Sequence, residues 1–422
     1  MRVTLIADNT DVTNWGCRAT SFALRRLLAR HHSIVHVVGR RQLSTPLSHS
    51  PVLPNKLYGK ALRRLTRNKR STALAFARPF GEYRAWTHDL DANEAALQRM
   101  RRGSSEASRM LDAIEDCDAV VVNGEGEMIF SSPARPTLLA TLTLINAARK
   151  RGKPVFYTNG MVSACPSSGT NAETVSVASA VLADAQTTWR DPMSHEFAGQ
   201  VLPGIKASWA PDALFSWADY LPIDTNGTDI GEHLRPLLEK TRHSVPDLRP
   251  LEYVVVSGSS SAAKSPERAT QSYAALLTAL KSAGYRTIAV PTCKGDKFLV
   301  KSAQLAGVPH VPVDFPVVAG AILLANAAAM VSGRWHPSIM ASLGGVPTVM
   351  LGSNSHKSQV LPVLVREEEL PVYSDQPDDT EIAKIVETVR KDVDAGAMLR
   401  DAIRDRSNEL GKLAAKGVAT IG

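Results

Sequence analysis

Short apolar runs alternate with helix-length segments in two successive series along the chain, and this rhythm limits the fold more than any other feature. The first series places strands at residues 3–7, 34–38, 119–122, 154–157 and 187–190. Helices are expected at about 19–30, 105–114 and 137–150. The second series places strands at 253–256, 287–290, 329–331 and 348–351 among helices at 268–283 and 319–328, followed by charged, alanine-rich helices over 379–415. Apolar runs this short, with no polar alternation, suit parallel strands covered by helices on both faces. The expected fold class is therefore α/β, with two Rossmann-like domains facing a cleft in a GT-B-like arrangement. At 422 residues the chain exceeds what one hydrophobic core usually organises. The division is placed at 215/216, giving an N-terminal domain 1–215 and a C-terminal domain 216–422 that carries the terminal helices. A Ser-, Pro- and Arg-rich insertion spans about 40–83.

Charge and cysteine content exclude several classes. Lys56, Lys60, Arg63, Arg64, Arg67, Lys69 and Arg70 follow one another without an acidic residue, and the whole chain carries a formal charge of +8. The run reads either as a solvated basic face or as a contact for anionic lipid or a lipid-diphosphate, a peripheral membrane contact. No aromatic stacking pattern accompanies it, so nucleic acid is not expected as a partner. Cys17, Cys117, Cys165 and Cys293 form no CxxC pair, which argues against a disulfide framework and against a zinc site. The start runs from a strand straight into polar residues, unlike a signal peptide, and the most apolar run, 317–331, is broken by Gly320 and Asn326. A soluble, cytoplasmic protein is expected, with attachment at the inner face of the plasma membrane left open by the basic run. Homo-oligomerisation is also left open.

Polar residues collect where the strands end. Asn123-Gly124-Glu125-Gly126-Glu127 follows the run 120–122, at the carboxyl end where open α/β sheets place ligands. Its glycines permit close approach of a ligand, though a solvated turn would read the same way. Ser332-Gly333-Arg334-Trp335-His336 follows 329–331 and precedes a small-residue helix over 337–343, so an Arg fork, an imidazole and a helix N-terminus converge. Arg334 suits a phosphate or carboxylate, and His336 can carry a proton near neutral pH. The loop 352–357 adds Asn354, Ser355 and Lys357 as further donors to an anion. Arg190-Asp191 and Pro211-Asp212 stand at the ends of other strand-like segments, where bracing and helix capping compete with a direct role. No HxH, HxxxH or DxD spacing argues for a metal, and metal-independent chemistry is expected.

In this order the motifs resemble the polysaccharide pyruvyl transferase family over most of the chain. Asn14-Trp15-Gly16-Cys17 stands at its first-loop Asn/Gly motif, with Cys17-Arg18 where Gly-Asp is common. Asn123-Gly124-Glu125-Gly126 is similar to its Asn-Gly-Glu-Gly loop, and Arg190-Asp191 with Pro211-Asp212 to its Arg-Asp and Pro-Asp pairs. Arg334-x-His336, Gly345-Val346-Pro347 and Lys357 are the most specific match. The resemblance implies a GT-B-like fold, phosphoenolpyruvate as donor substrate with no further cofactor, and ketalation of a sugar in a surface polysaccharide or lipid-linked oligosaccharide. It implies a donor side in the C-terminal half, with Ser332, Gly333, Arg334, His336, Asn354, Ser355 and Lys357. It implies an acceptor or cleft side with Asn14, Trp15, Gly16, Asn123, Gly124, Gly126, Arg190, Asp191 and Asp212. His336, Glu125 and Arg334 are the expected catalytic groups. A GT-B glycosyltransferase using a nucleotide sugar, or a non-catalytic glycan-binding relative, would carry a similar set.

Overall fold

Aliphatic side chains crowd the first strand so densely that both of its faces must be covered by helices. β1 (Arg2–Asp8) is buried from Val3 onward and pairs in parallel with β2 (Ser33–Gly39) on one side and β3 (Ala119–Phe130) on the other. β4 (Val155–Ala164), β5 (Gln186–Trp189) and β6 (Ala207–Trp209) complete a six-stranded parallel sheet of order β2-β1-β3-β4-β5-β6. The helix Pro136–Lys150 contributes Leu138, Leu139, Leu142 and Ile145 to the core of this unit.

The second sheet repeats the plan. β7 (Tyr253–Ser259), β8 (Arg286–Val290), β9 (Ala329–Gly333), β10 (Thr348–Leu351) and β11 (Val372–Tyr373) lie in the order β11-β10-β9-β7-β8, again all parallel. In each sheet the chain starts on an inner strand, moves to one side, and then reverses to the other. The reversal falls between β1 and β3 in the first sheet and between β7 and β9 in the second. Crevices outside the strand ends at such points are the usual ligand sites of α/β folds.

A computed structural model describes residues 1–45, 47, 86–101, 105–222, 230–239, 241, 243 and 248–422. The basic run 56–70 lies outside the described residues. Two compact units are formed, one from Met1–Asp11, Leu28–Trp209 and Ile421–Gly422, the other from Val12–Leu27 and Ala210–Thr420. Residues 12–27, which include Asn14, Trp15 and Gly16, thus belong to the second unit although they stand between β1 and β2 in sequence.

Several elements differ from the sequence expectation for local reasons. β3 does not stop at residue 122 but runs to Phe130, so Asn123-Gly124-Glu125-Gly126-Glu127 is strand rather than a following loop. A register shift between Glu125 and Met128, with Glu125 at φ 37°, absorbs the irregularity, and pairing with β4 then resumes. β4 passes its own left-handed residue, Asn159 at φ 55°, and continues to Ala164. β6 and β11 are too short for periodicity to reveal. The helix expected from Ala19 starts at Trp15 because the Asn14 side chain caps it, accepting from the N–H groups of Gly16 (3.0 Å) and Cys17 (3.3 Å). The helix expected from Pro337 starts at Trp335.

Gly344-Gly345 closes the turn between helix Trp335–Leu343 and β10, and both glycines are required by close approach. A Cβ on Gly344 would lie 1.7 Å from the Ala325 carbonyl oxygen, and one on Gly345, at φ 77°, would lie 2.2 Å from that of Arg400. The Arg400 guanidinium donates to the carbonyls of Ala327 (2.7 Å) and Gly344 (3.0 Å). Burial lowers its pKa to about 10, and it stays charged at neutral pH.

Two outcomes follow from these local arrangements. Gly345→Ala combines a left-handed backbone with a backbone clash and should cost about 2–4 kcal/mol, a Tm drop of about 5–15 °C. Gly152→Ala, with φ 67° but nothing within 4 Å of the added Cβ, should cost only about 1–2 kcal/mol, and equal losses in the two variants would disprove the packing argument. All four cysteines are free thiols. Hydrogen bonds from Ser167 and then Ser168 lower the Cys165 pKa to about 6, whereas burial raises that of Cys293. Iodoacetamide labelling followed by peptide mass spectrometry should therefore mark Cys165 first at pH 7. Its rate should rise through pH 6 as thiolate forms, and Ser167→Ala should move that midpoint upward.

Candidate functional site

In the second unit the site is organised by two buried carboxylates. Asp212, with no exposure, receives four donors or near-donors. Oδ1 accepts from Thr20 Oγ1 (2.6 Å) and the Leu214 N–H (3.0 Å); Oδ2 accepts from Trp335 Nε1 (3.0 Å) and lies 3.2 Å from His336 Nε2. With a carboxylate oxygen facing Nε2, that nitrogen carries the hydrogen and the ring orientation is set. The opposite face of the ring rests on Gly16, where a Cβ would stand 2.5 Å from Nδ1. Trp15 is core: its Nε1 donates to the Val313 carbonyl (3.1 Å), its ring stacks on Phe315, and it fills the space over Gly320.

Asp296 does for Arg334 what Asp212 does for His336. Its Oδ1 accepts from Arg334 Nη2 (2.5 Å), and Oδ2 accepts from the N–H (3.0 Å) and hydroxyl (3.2 Å) of Thr292. Burial opposes charge on the guanidinium, but Asp296 and Cys293 outweigh it and raise the Arg334 pKa. Arg334 Nε is buried and has no hydrogen-bond partner among the described residues. Gly258 must lack a side chain for this pair to form, since its Cβ would lie 2.2 Å from Asp296 Oδ1.

The switch point between β7 and β9 brings the remaining residues close. Ser332 Oγ accepts from the Arg334 N–H (3.0 Å), and Gly333 packs against Ser259, whose hydroxyl donates to the Gly352 carbonyl at 2.5 Å. Lys357 Nζ donates to Asn354 Oδ1 (2.7 Å), which also accepts from Ser260 Oγ (3.0 Å), while Ser353 Oγ binds the Ser355 carbonyl. The helix Trp335–Leu343 opens at Arg334, so the positive end of its dipole lies at this cluster. A group of buried hydroxyls, two cations and an oriented imidazole at one strand edge is suited to an anion and a proton transfer. Asp296, Ser259 and Thr292 were not anticipated; Thr292-Cys293-Lys294-Gly295-Asp296 contains no spacing that marks a site.

In the first unit Asn123 and Glu125 are buried at the carboxyl half of the sheet. Asn159 Nδ2 donates to Asn123 Oδ1 (3.0 Å), and Asn9 Nδ2 to Glu125 Oε2 (2.5 Å). Glu127 accepts from Arg40 Nη1 (2.9 Å) and from the Thr137 hydroxyl. Gly124 leaves room for the Tyr157 ring, which a Cβ would meet at 2.5 Å; a Cβ on Gly126 would meet only Arg190 Nη2, at 3.8 Å. Arg190 is buried, its N–H donating to the Gly160 carbonyl (2.8 Å). Asp191 caps helix Pro192–Val201, accepting from the N–H and hydroxyl of Ser194, each at 2.7 Å. Ala7, Glu125 and Asn159, all with positive φ, lie on three adjacent strands, Ala7 next to the end of β1 and the other two midway along β3 and β4. Asn9 and Arg40 are the residues here that motif reading missed, because single polar residues after a strand carry no pattern.

The polysaccharide pyruvyl transferase family model matches residues 14–355. The chain belongs to that family. It is a family of transferases, and the matched span includes the motifs named above except Lys357, which lies two residues beyond it. No curated protein matches the chain. Among solved structures, the UDP-GlcNAc 2-epimerase of Neisseria meningitidis bound to UDP-GlcNAc is 12% identical with a TM-score of 0.55, covering 99% of this chain and 98% of that one. The UDP-N-acetylglucosamine 2-epimerase of Rickettsia bellii is 13% identical with a TM-score of 0.51, covering 99% and 94%. Os79 from O. sativa in complex with UDP is 14% identical with a TM-score of 0.52, covering 99% and 98%. At these identities the likeness concerns the fold alone, and that fold is GT-B. Among the described residues no helix is long and apolar enough to cross a membrane, and no group of three or more His, Cys, Asp or Glu could hold a metal ion.

Gly16→Ala tests whether this geometry orients the imidazole. The added methyl must turn the His336 ring away from Asp212, at a cost of about 1–3 kcal/mol from overpacking. Imidazole NMR spectra should show a displaced His336 resonance, and an unchanged resonance would disprove the contact.

Proposed function

We propose that the protein transfers a pyruvyl group from phosphoenolpyruvate to two hydroxyls of a sugar in a surface polysaccharide or its lipid-linked precursor, without a metal. The observation that carries this reading is the pairing, on one strand-to-helix connection, of Arg334 held by Asp296 with His336 held by Asp212. Arg334 binds the donor's anionic groups through its outer nitrogens, assisted by Lys357 and by the hydroxyls and amides around Ser332, Gly333, Asn354 and Ser355. His336 supplies the proton that the donor's methylene carbon gains. As that C–H bond forms, positive charge develops at the neighbouring carbon, and a sugar hydroxyl oxygen bonds to it. The second hydroxyl then displaces phosphate at the same carbon, closing the ketal. Of the two hydroxyl protons lost, one replaces the proton spent on the methylene carbon and the other leaves with phosphate. Glu125, in the first unit, is assigned to acceptor deprotonation. Asp212 holds the imidazole of His336 in its orientation and is a positioning residue.

Arg334→Ala should raise the donor requirement steeply, with a loss of about 2–4 kcal/mol in transition-state stabilisation. His336→Ala should lower turnover by roughly 10²–10⁴-fold while phosphoenolpyruvate still raises the melting temperature. Phosphate release with acceptor present, together with thermal shift, reads both effects. Folded variants with wild-type turnover would refute the assignment. Stabilisation by a nucleotide sugar but not by phosphoenolpyruvate would replace it with a glycosyltransferase.

A further inference from the structure

The second sheet runs in the order β11-β10-β9-β7-β8, so the loops leaving β7 and β10 stand on either side of the β9 exit, where Arg334 follows Gly333. The two loops meet there. Ser259 Oγ donates to the Gly352 carbonyl at 2.5 Å, and Gly333 lies against that bond: a Cβ on it would stand 2.6 Å from Ser259 Cβ and 2.8 Å from the Gly352 oxygen. Further along the same loops, the Ser260 hydroxyl donates to Asn354 Oδ1 (3.0 Å) and accepts from the Asn354 N–H (3.1 Å). Asn354 Oδ1 also accepts from Nζ of Lys357 (2.7 Å), the residue that opens helix Lys357–Arg366. A chain of hydrogen bonds thus runs from the end of β7 to the ammonium of Lys357.

Each link has a fixed direction. A serine hydroxyl has one hydrogen, and here it goes to the amide oxygen while the Asn354 N–H donates to the hydroxyl oxygen. The neutral amide orients the ammonium without cancelling its charge as a carboxylate would. A lysine head group on its four-carbon stem samples many rotamers, and ordering it in advance lessens the freedom lost when an anion binds. Ser260, Asn354 and Lys357 are all half-buried, within reach of a ligand from solvent. We propose that Ser260 is a positioning residue that acts through Asn354 to hold Lys357 ready for a phosphoryl group. The proposal rests on the transferase reading, in which that group is the phosphate of phosphoenolpyruvate.

Inorganic phosphate, titrated against the full chain and followed by phosphorus NMR, reads the site without turnover. The wild-type protein should bind it. Lys357→Met should weaken binding about tenfold and Ser260→Ala about fivefold. Ser260→Thr, which keeps the hydroxyl, should bind as the wild type does. Because Ser260 acts only through Lys357, Ser260→Ala should have no further effect in the Lys357→Met background. With phosphoenolpyruvate and acceptor, Ser260→Ala should raise KM about fivefold and leave kcat nearly unchanged, since the contact is made in ground and transition states alike. Melting curves confirm that each variant is folded. No phosphate bound by the wild type, affinity indifferent to Ser260→Ala, or an undiminished loss from Ser260→Ala once Lys357 is replaced would each overturn the proposal. Phosphate binding with these sensitivities, but no pyruvyl transfer from phosphoenolpyruvate, would refute the transferase reading and leave Ser260 as a positioning residue of an anion site.

Discussion

Asp212 is a charge wholly removed from solvent, and such a charge is tolerable only when its oxygens are saturated with donors. The donors come from three places in the chain: Thr20 on the helix Trp15–Leu28, Leu214 in the segment that follows β6, and Trp335 with His336 at the start of the helix after β9. Each interaction fixes an element as well as a side chain. The carboxylate therefore does two things at once, locking the packing of the second unit and presenting the imidazole in one tautomer. Asp296 repeats the device one loop away, where Thr292 and Gly258 let a buried carboxylate hold Arg334. Functional groups held this way lose little freedom on binding a ligand, since the surrounding fold has already ordered them.

Backbone strain in the first unit falls on three adjacent strands, β1, β3 and β4. Ala7, Glu125 and Asn159 adopt left-handed conformations that cost a non-glycine residue of the order of 1–3 kcal/mol each. The compensation is visible in what the distortions accomplish. Glu125 turns toward Asn9 and Asn159 toward Asn123, while the strands on which they lie go on pairing beyond the irregularity.

The alternation of apolar runs and helical segments was legible because buried parallel strands need uninterrupted aliphatic residues, and the motif order sufficed to place the family. Less legible was anything decided by contact between distant residues. Asn123-Gly124-Glu125-Gly126 looks like a loop by composition, yet Gly124 serves the Tyr157 ring and the segment remains strand. Gly345-Val346-Pro347, read as part of the site signature, is a turn whose first residue admits the backbone of Arg400. Asn14 and Asp191 proved to be helix caps. Asp296 was invisible because a buried counter-ion needs no particular spacing from its partner, only a fold that brings the two together.

The placement of residues 12–27 has a consequence for synthesis and for dissection of the molecule. The second unit takes its opening helix from a part of the chain made nearly two hundred residues before the rest of it, and the first unit takes up Ile421–Gly422 at the far end. Neither unit is a contiguous cassette. During translation, Trp15 must wait for Gly320 and Phe315, and Gly16 for His336, with an apolar helix face meanwhile unburied on the nascent chain. A polypeptide starting at Ala210 would carry the whole second sheet but lack the indole that fills its core and the glycine on which its histidine rests. The two units are thus interleaved in chain order rather than encoded as two modules in tandem.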